Sequence, residues 1–131
     1  LFEEHPRLGA LIFTLCIAER VTLADRLASI GRTSARMRVA SLLCELLARL
    51  RISGGPALKE FQVPLTQEEI GDATGLTAVH VNRMMRSLVD DGLLARTGGT
   101  ITILDEKRLV EEVAFIDRYA AIDTSWLPKP R

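Results

Sequence analysis

Val79, Asn82, Arg83 and Arg86 fall at the i, i+3, i+4, i+7 spacing that puts four side chains on one face of a helix. Their chemistry suits the edges of base pairs. An arginine fork meets O6 and N7 of guanine, an asparagine amide meets N6 and N7 of adenine, and valine can touch a thymine methyl. Val81, Met84, Met85 and Leu88 repeat the spacing on the opposite face. The sequence therefore predicts a helix with an apolar back and a polar front, opened by Thr77 as its cap. Taken alone, such a helix also fits an ordinary surface helix with solvated asparagine and arginine.

The neighbouring residues supply what would hold that helix in place. Thr66 followed by Glu69 is a capping-box pattern that starts a shorter helix near Gln67. Ile70 and Ala73 would face inward, Gly71 is small where a second helix must come close, and Gly75 can take the left-handed conformation that ends a helix. Two helices joined by this glycine turn form a helix-turn-helix. Asp91-Gly92 then ends the second helix. Leu93 to Arg96 reads as a strand, Thr97-Gly98-Gly99 as a turn, and Thr100 to Ile103 as a returning strand. Together they make a wing. Gly98 and Gly99 serve the turn first, and their unhindered amides are also open to a phosphate. Asp105 is the expected cap of a last helix with Leu109, Val110 and Val113 inside.

Upstream, Leu8 to Ala18 is apolar nearly all round but about half the length needed to span a bilayer, so it is not a membrane anchor. Ile12, Cys16, Leu23, Leu27 and Ile30 form a stripe that runs on to Gly31, whereas Leu8, Leu11, Leu15 and Ala18 stop midway. The continuous stripe reads as a dimer seam, and the shorter one as a face packed on another domain. After Gly31, Thr33 or Ser34 can cap a helix whose core face is Val39, Leu42, Leu43, Leu46, Leu47 and Leu50. Phe61 to Val63 is a short strand candidate. Phe115 to Arg131 has no clear period.

The chain has 131 residues, 47% hydrophobic and 26% charged, with zero formal charge. This suits one compact globular domain with an appendage and argues against disorder. Cys16 and Cys44 stand singly in apolar runs and are expected to be buried small hydrophobes. His5 and His80 are isolated too. No metal-ligand spacing and no hydrolase, nucleotide-loop or zinc-protease pattern is present, so no enzyme, metal or cofactor is expected in this chain. Between residues 65 and 104, Glu68, Glu69, Asp72, Asp90 and Asp91 outnumber Arg83, Arg86 and Arg96. That balance disfavours a DNA binder, because phosphate neutralisation supplies most non-specific affinity. It keeps open a winged helix that docks protein instead.

The order of parts, with GLTAVHVNRMMRSLVDDGLL and the upstream ASLLCELLARL, resembles the Crp/Fnr family of bacterial transcription regulators. The resemblance runs from about His5 to Ile116, and the helix-turn-helix with its wing is the most specific part. It implies a mainly α fold with a small β-hairpin wing. Residues 1–31 would be a dimerisation helix at the end of a sensory domain lying outside this sequence, 32–116 a winged helix-turn-helix domain, and 117–131 a tail. It further implies a cytoplasmic homodimer on palindromic double-stranded DNA, with RNA polymerase as a further partner and an effector that this chain does not specify. By motif, Arg83 matches the base-reading arginine, and Thr77 and His80 match phosphate-touching positions. Gln67 lies where the first helix crosses the backbone, and Thr97, Gly98 and Gly99 correspond to the wing tip. Arg36, with Arg32 and Arg38, stands where family members approach the backbone. Arg32 to Ser34 is the implied hinge. The family's best-known members carry a glutamate where this chain has Val79, so their operator does not transfer.

Overall fold

Capping and hydrophobic spacing divide the chain into five helices and a small sheet in the computed structural model, which describes residues 2–126. The helices are α1 (Pro6–Ile30), α2 (Ala35–Gly54), α3 (Gln67–Thr74), α4 (Ala78–Asp90) and α5 (Glu106–Val113). The strands are β1 (Glu60–Gln62), β2 (Leu94–Thr97) and β3 (Thr100–Ile103), in the antiparallel order β1-β3-β2. Leu1 and residues 127–131, with the last two prolines, lie outside the described residues.

The caps act at the expected places. Ser34, rather than Thr33, accepts a hydrogen bond from the Met37 amide to start α2. Thr66 and Glu69 close the capping box of α3, and Thr66 holds the Glu69 carboxyl below the ordinary carboxylate range. Thr77 and Asp105 cap α4 and α5. At the wing, Thr97 pairs with Thr100 across Gly98 and Gly99, and the φ of 61° at Gly98 suits a residue without a Cβ. The first wing strand sits one residue later than the alternation predicts. The upstream strand sits one residue earlier, and its pairing of Phe61 with Ile101 turns the wing hairpin into a three-stranded sheet.

Val39, Leu43, Ile70, Val81, Met85, Leu88, Leu93, Leu94, Ile101 and Leu109 are almost fully buried and form one core. At about 1.5–3 kcal/mol per buried large side chain, this core is the main force fixing α4 against α2, α3 and the sheet. Cys44 belongs to it, and burial pushes its thiol to about 12, an inert group as expected. Arg51 on α2 grips Glu106 on α5 through its two terminal nitrogens, Nη1 and Nη2, at 2.6 and 2.9 Å, and holds that carboxyl below its ordinary range.

Two expectations about the N-terminal helix are corrected. Leu15 and Ala18 do not await another domain: they pack with Ala48 and with Tyr119, Phe115 and Ile122 of the C-terminal segment. That segment is part of the fold, since Tyr119 is buried and lies under the Arg49 guanidinium, and the preceding Arg118 pairs with Asp25 of α1. Cys16 is exposed, not buried, because it lies on the stripe that the single chain leaves open.

Arg36 and Arg38, expected near phosphates, have partners within the chain in this structure. Arg36 donates to both oxygens of Glu112 and to Ser87 Oγ and pairs with Asp91, and the Glu112 contact holds its guanidinium above its ordinary pKa. Arg38 donates to the carbonyls of Thr74 and Thr33, each at 2.7 Å, and of Ile30. Both guanidinium forks are thus occupied inside the scaffold, Arg38 bridging the predicted hinge to the end of α3.

Gly71 is the tightest point in the fold. A Cβ there would lie 2.4 Å from the Leu76 carbonyl oxygen, which itself belongs to the turn. Gly71→Ala gains about 1 kcal/mol of helix propensity but must displace backbone, at a cost of about 1–3 kcal/mol or more. A lower urea midpoint is expected, and wild-type stability would show that the two helices do not meet this closely. Arg36→Ala should lower stability by about 1–2 kcal/mol in thermal unfolding without changing the salt dependence of retention on duplex DNA. A phosphate contact would instead reduce the log–log salt slope by about 0.9.

Candidate nucleic-acid interface

The front of α4 is built from the back. Val81, Met85 and Leu88 are buried, with Met84 packed at the edge of the core, so the helix can only turn its other side outward. On that side Val79 is 82% exposed. Arg83 and Arg86 are exposed, and neither enters an ion pair among the described residues. Asn82 is half-buried, and its Oδ1 accepts a hydrogen bond from Arg96 Nη1 of β2 at 3.1 Å. The predicted reading residues therefore share one surface, and Arg96 joins it from the wing. Sequence alternation placed Arg96 on a strand but gave no sign that it would reach across to α4.

The start of α4 is electrically prepared for an anion. Its first turn contains no acid, and its amides and dipole point out of the helix N-terminus. Thr77 Oγ1 accepts from the His80 amide at 3.3 Å, which leaves the hydroxyl proton free to donate. His80 itself is half-buried beside it. Gln67 opens α3, with Oε1 buried and without a hydrogen-bond partner among the described residues. At the wing tip Thr97, Gly98 and Gly99 are exposed, while the Gly99 carbonyl is used by the Val63 amide at 3.1 Å.

Two of the local acids are engaged within the fold. Asp91 is paired with Arg36 beyond the C-terminal end of α4, and Glu69 is spent in its capping box. A cavity of about 280 Å³ lies elsewhere, between α1, α2 and the C-terminal segment, lined by Arg26, Ser41, Glu45 and Tyr119 among others. Of the residues predicted to meet DNA, Arg38 alone borders it. No group of three or more metal-binding side chains occurs among the described residues.

Comparison with known proteins agrees with this arrangement. A Crp-like helix-turn-helix domain matches residues 37–112. The transcriptional activator protein FnrL of Cereibacter sphaeroides is 33% identical over 118 residues, covering 86% of this chain and 47% of FnrL. The nitrogen fixation regulation protein FixK of Bradyrhizobium diazoefficiens is 34% identical over 107 residues, covering 82% of this chain and 45% of FixK. The chain thus spans about half the length of these relatives. The structure of FixK2 from Bradyrhizobium japonicum superposes with a TM-score of 0.59 at 30% identity, over 67% of this chain and 42% of that one. A Crp/Fnr regulator structure from Eubacterium rectale gives 0.56 at 32% identity, over 70% of this chain and 38% of that one. On the domain match and these identities, the chain belongs to the Crp/Fnr family of bacterial transcription regulators.

Proposed function

We propose that this chain is the dimerising, sequence-reading part of a transcription regulator that binds a palindromic operator as a homodimer. The observation that carries the reading is α4, with its buried Val81, Met85 and Leu88 behind and its outward Val79, Arg83 and Arg86 in front. Arg83 and Arg86 would meet guanines, Asn82 a base edge, and Val79 a thymine methyl. Thr77, His80, the Nε2 end of Gln67 and the amides at Thr97 to Gly99 would set register on phosphates. Neither catalysis nor a cofactor is part of this role.

Support for the dimer comes from α1. Ile12, Cys16, Leu23, Leu27 and Ile30 form one stripe, all exposed, with Leu27 73% accessible. A second copy laid along the stripe would cover it and set two α4 helices facing the same side of a duplex. Phe13 and Ile17 are exposed as well, outside the predicted seam, and provide apolar surface for a sensory domain or the partner helix. Control by such a domain and contact with RNA polymerase follow from the family and belong to the same proposal. The local acidity favours a second reading, a winged helix that docks protein, which predicts no retention on DNA even at low salt.

Arg83→Ala tests the assignment, because the residue is exposed and its loss should leave the fold intact. On a duplex enriched by the wild-type protein, affinity should fall by about 1–3 kcal/mol, with one base position per half-site relaxed. Unchanged affinity and unchanged preference in a gel-shift titration would remove Arg83 from the reading surface.

A further inference from the structure

Arg96 is the cation of the wing that points back at the reading helix. Alternation along β2 puts it on the same face as buried Leu94, and β2 packs against α4. One step beyond the core its side chain meets Asn82, with Arg96 Nη1 donating to Asn82 Oδ1 at 3.1 Å.

A carboxamide can face either way with nearly the same shape, acceptor on one side and two donors on the other. Guanidinium has only donors. Arg96 can therefore hold Asn82 in one of its two orientations and opposes the other, which would bring two N–H dipoles against a cation. From this contact we propose that Arg96 is a specificity-determining positioning residue: it locks the amide of Asn82 with Oδ1 toward the wing and Nδ2 away from it, so that one base pair of each half-site is read by an oriented amide. Arg96 need touch no base to do this. The remaining lone pair of Oδ1 stays available to a base, and the charge of Arg96 strengthens the bond that holds it.

The inference rests on the DNA-reading role proposed above, and its test separates the two. Wild type, Arg96→Ala, Arg96→Lys, Asn82→Ala and the double variant are titrated against duplexes carrying each base pair in turn at every position of a selected half-site, at several salt concentrations. Arg96 is exposed, so the variants should fold as wild type does. We expect Arg96→Ala to reduce discrimination by about 5-fold or more at one base pair, the same one that Asn82→Ala relaxes, and to have no further effect once Asn82 is gone. Arg96→Lys, which restores a donor to Oδ1, should recover much of the preference. A uniform loss of affinity across all sequences, with a log–log salt slope lower by about 0.9 per half-site, would make Arg96 a phosphate contact and overturn the proposal. Full discrimination in Arg96→Ala would overturn it equally. If the wild-type chain selects no sequence at all, the DNA-reading role itself fails.

Discussion

The reading helix is held where it is by a contact that only glycine permits. At Gly71 the backbone of the turn passes so close that the Leu76 carbonyl occupies the place of a side chain, and the Leu76 amide returns a hydrogen bond to the Gly71 carbonyl at 2.9 Å. Gly75, with φ of 69°, supplies the left-handed residue that lets the chain reverse there. These two positions set how α3 and α4 cross. Once the crossing is set, burying Val81, Met85 and Leu88 leaves α4 one rotation, and Val79, Arg83 and Arg86 face outward as a consequence. Thr74, almost fully buried, ties off α3 by donating to the Ile70 carbonyl, and Arg38 binds the carbonyl of the same threonine. The start of α2 is thereby fastened to the turn of the reader.

Charge is distributed to the same end. A segment richer in acids than in bases still presents arginines: Asp91 is drawn to Arg36 beyond the C-terminal end of α4, and Glu69 is engaged in its capping box. Arg83, Arg86 and Arg96 are left to face a partner. With so few free cations, non-specific attraction is weak and selectivity must come from groups held in fixed directions, which gives the Arg96–Asn82 bond its weight. Glu45, buried on α2, is neutralised by Arg26 of α1 and by Arg49, so the long N-terminal helix is joined to the reader through ions as well as apolar contact.

Much of this was legible in the residues themselves. Caps, glycine positions and the 3.6-residue spacing act over a few residues, so Thr66, Gly71, Thr77 and the two faces of α4 could be read directly, the returning wing strand fell at its expected residues, and the other two strands were displaced by one. What could not be read are partners far apart in the chain. Arg36 looked free because Asp91 and Glu112 meet it only in three dimensions. Tyr119 belongs to no periodic run, yet it covers Ala18 and Ala48. Asn82 and Arg96 were each visible, but their hydrogen bond depends on the angle between the wing and α4, which no local pattern encodes.

Selection of bound sites from randomised duplex DNA by the purified chain addresses most directly the claim that a paired α4 front reads sequence. The account predicts an enriched palindrome whose half-sites lie about one helical turn apart, with its most constrained position relaxed when Arg83 is replaced by Ala. Recovery of no common sequence, or of a single asymmetric site bound with the same preference by that variant, would contradict it.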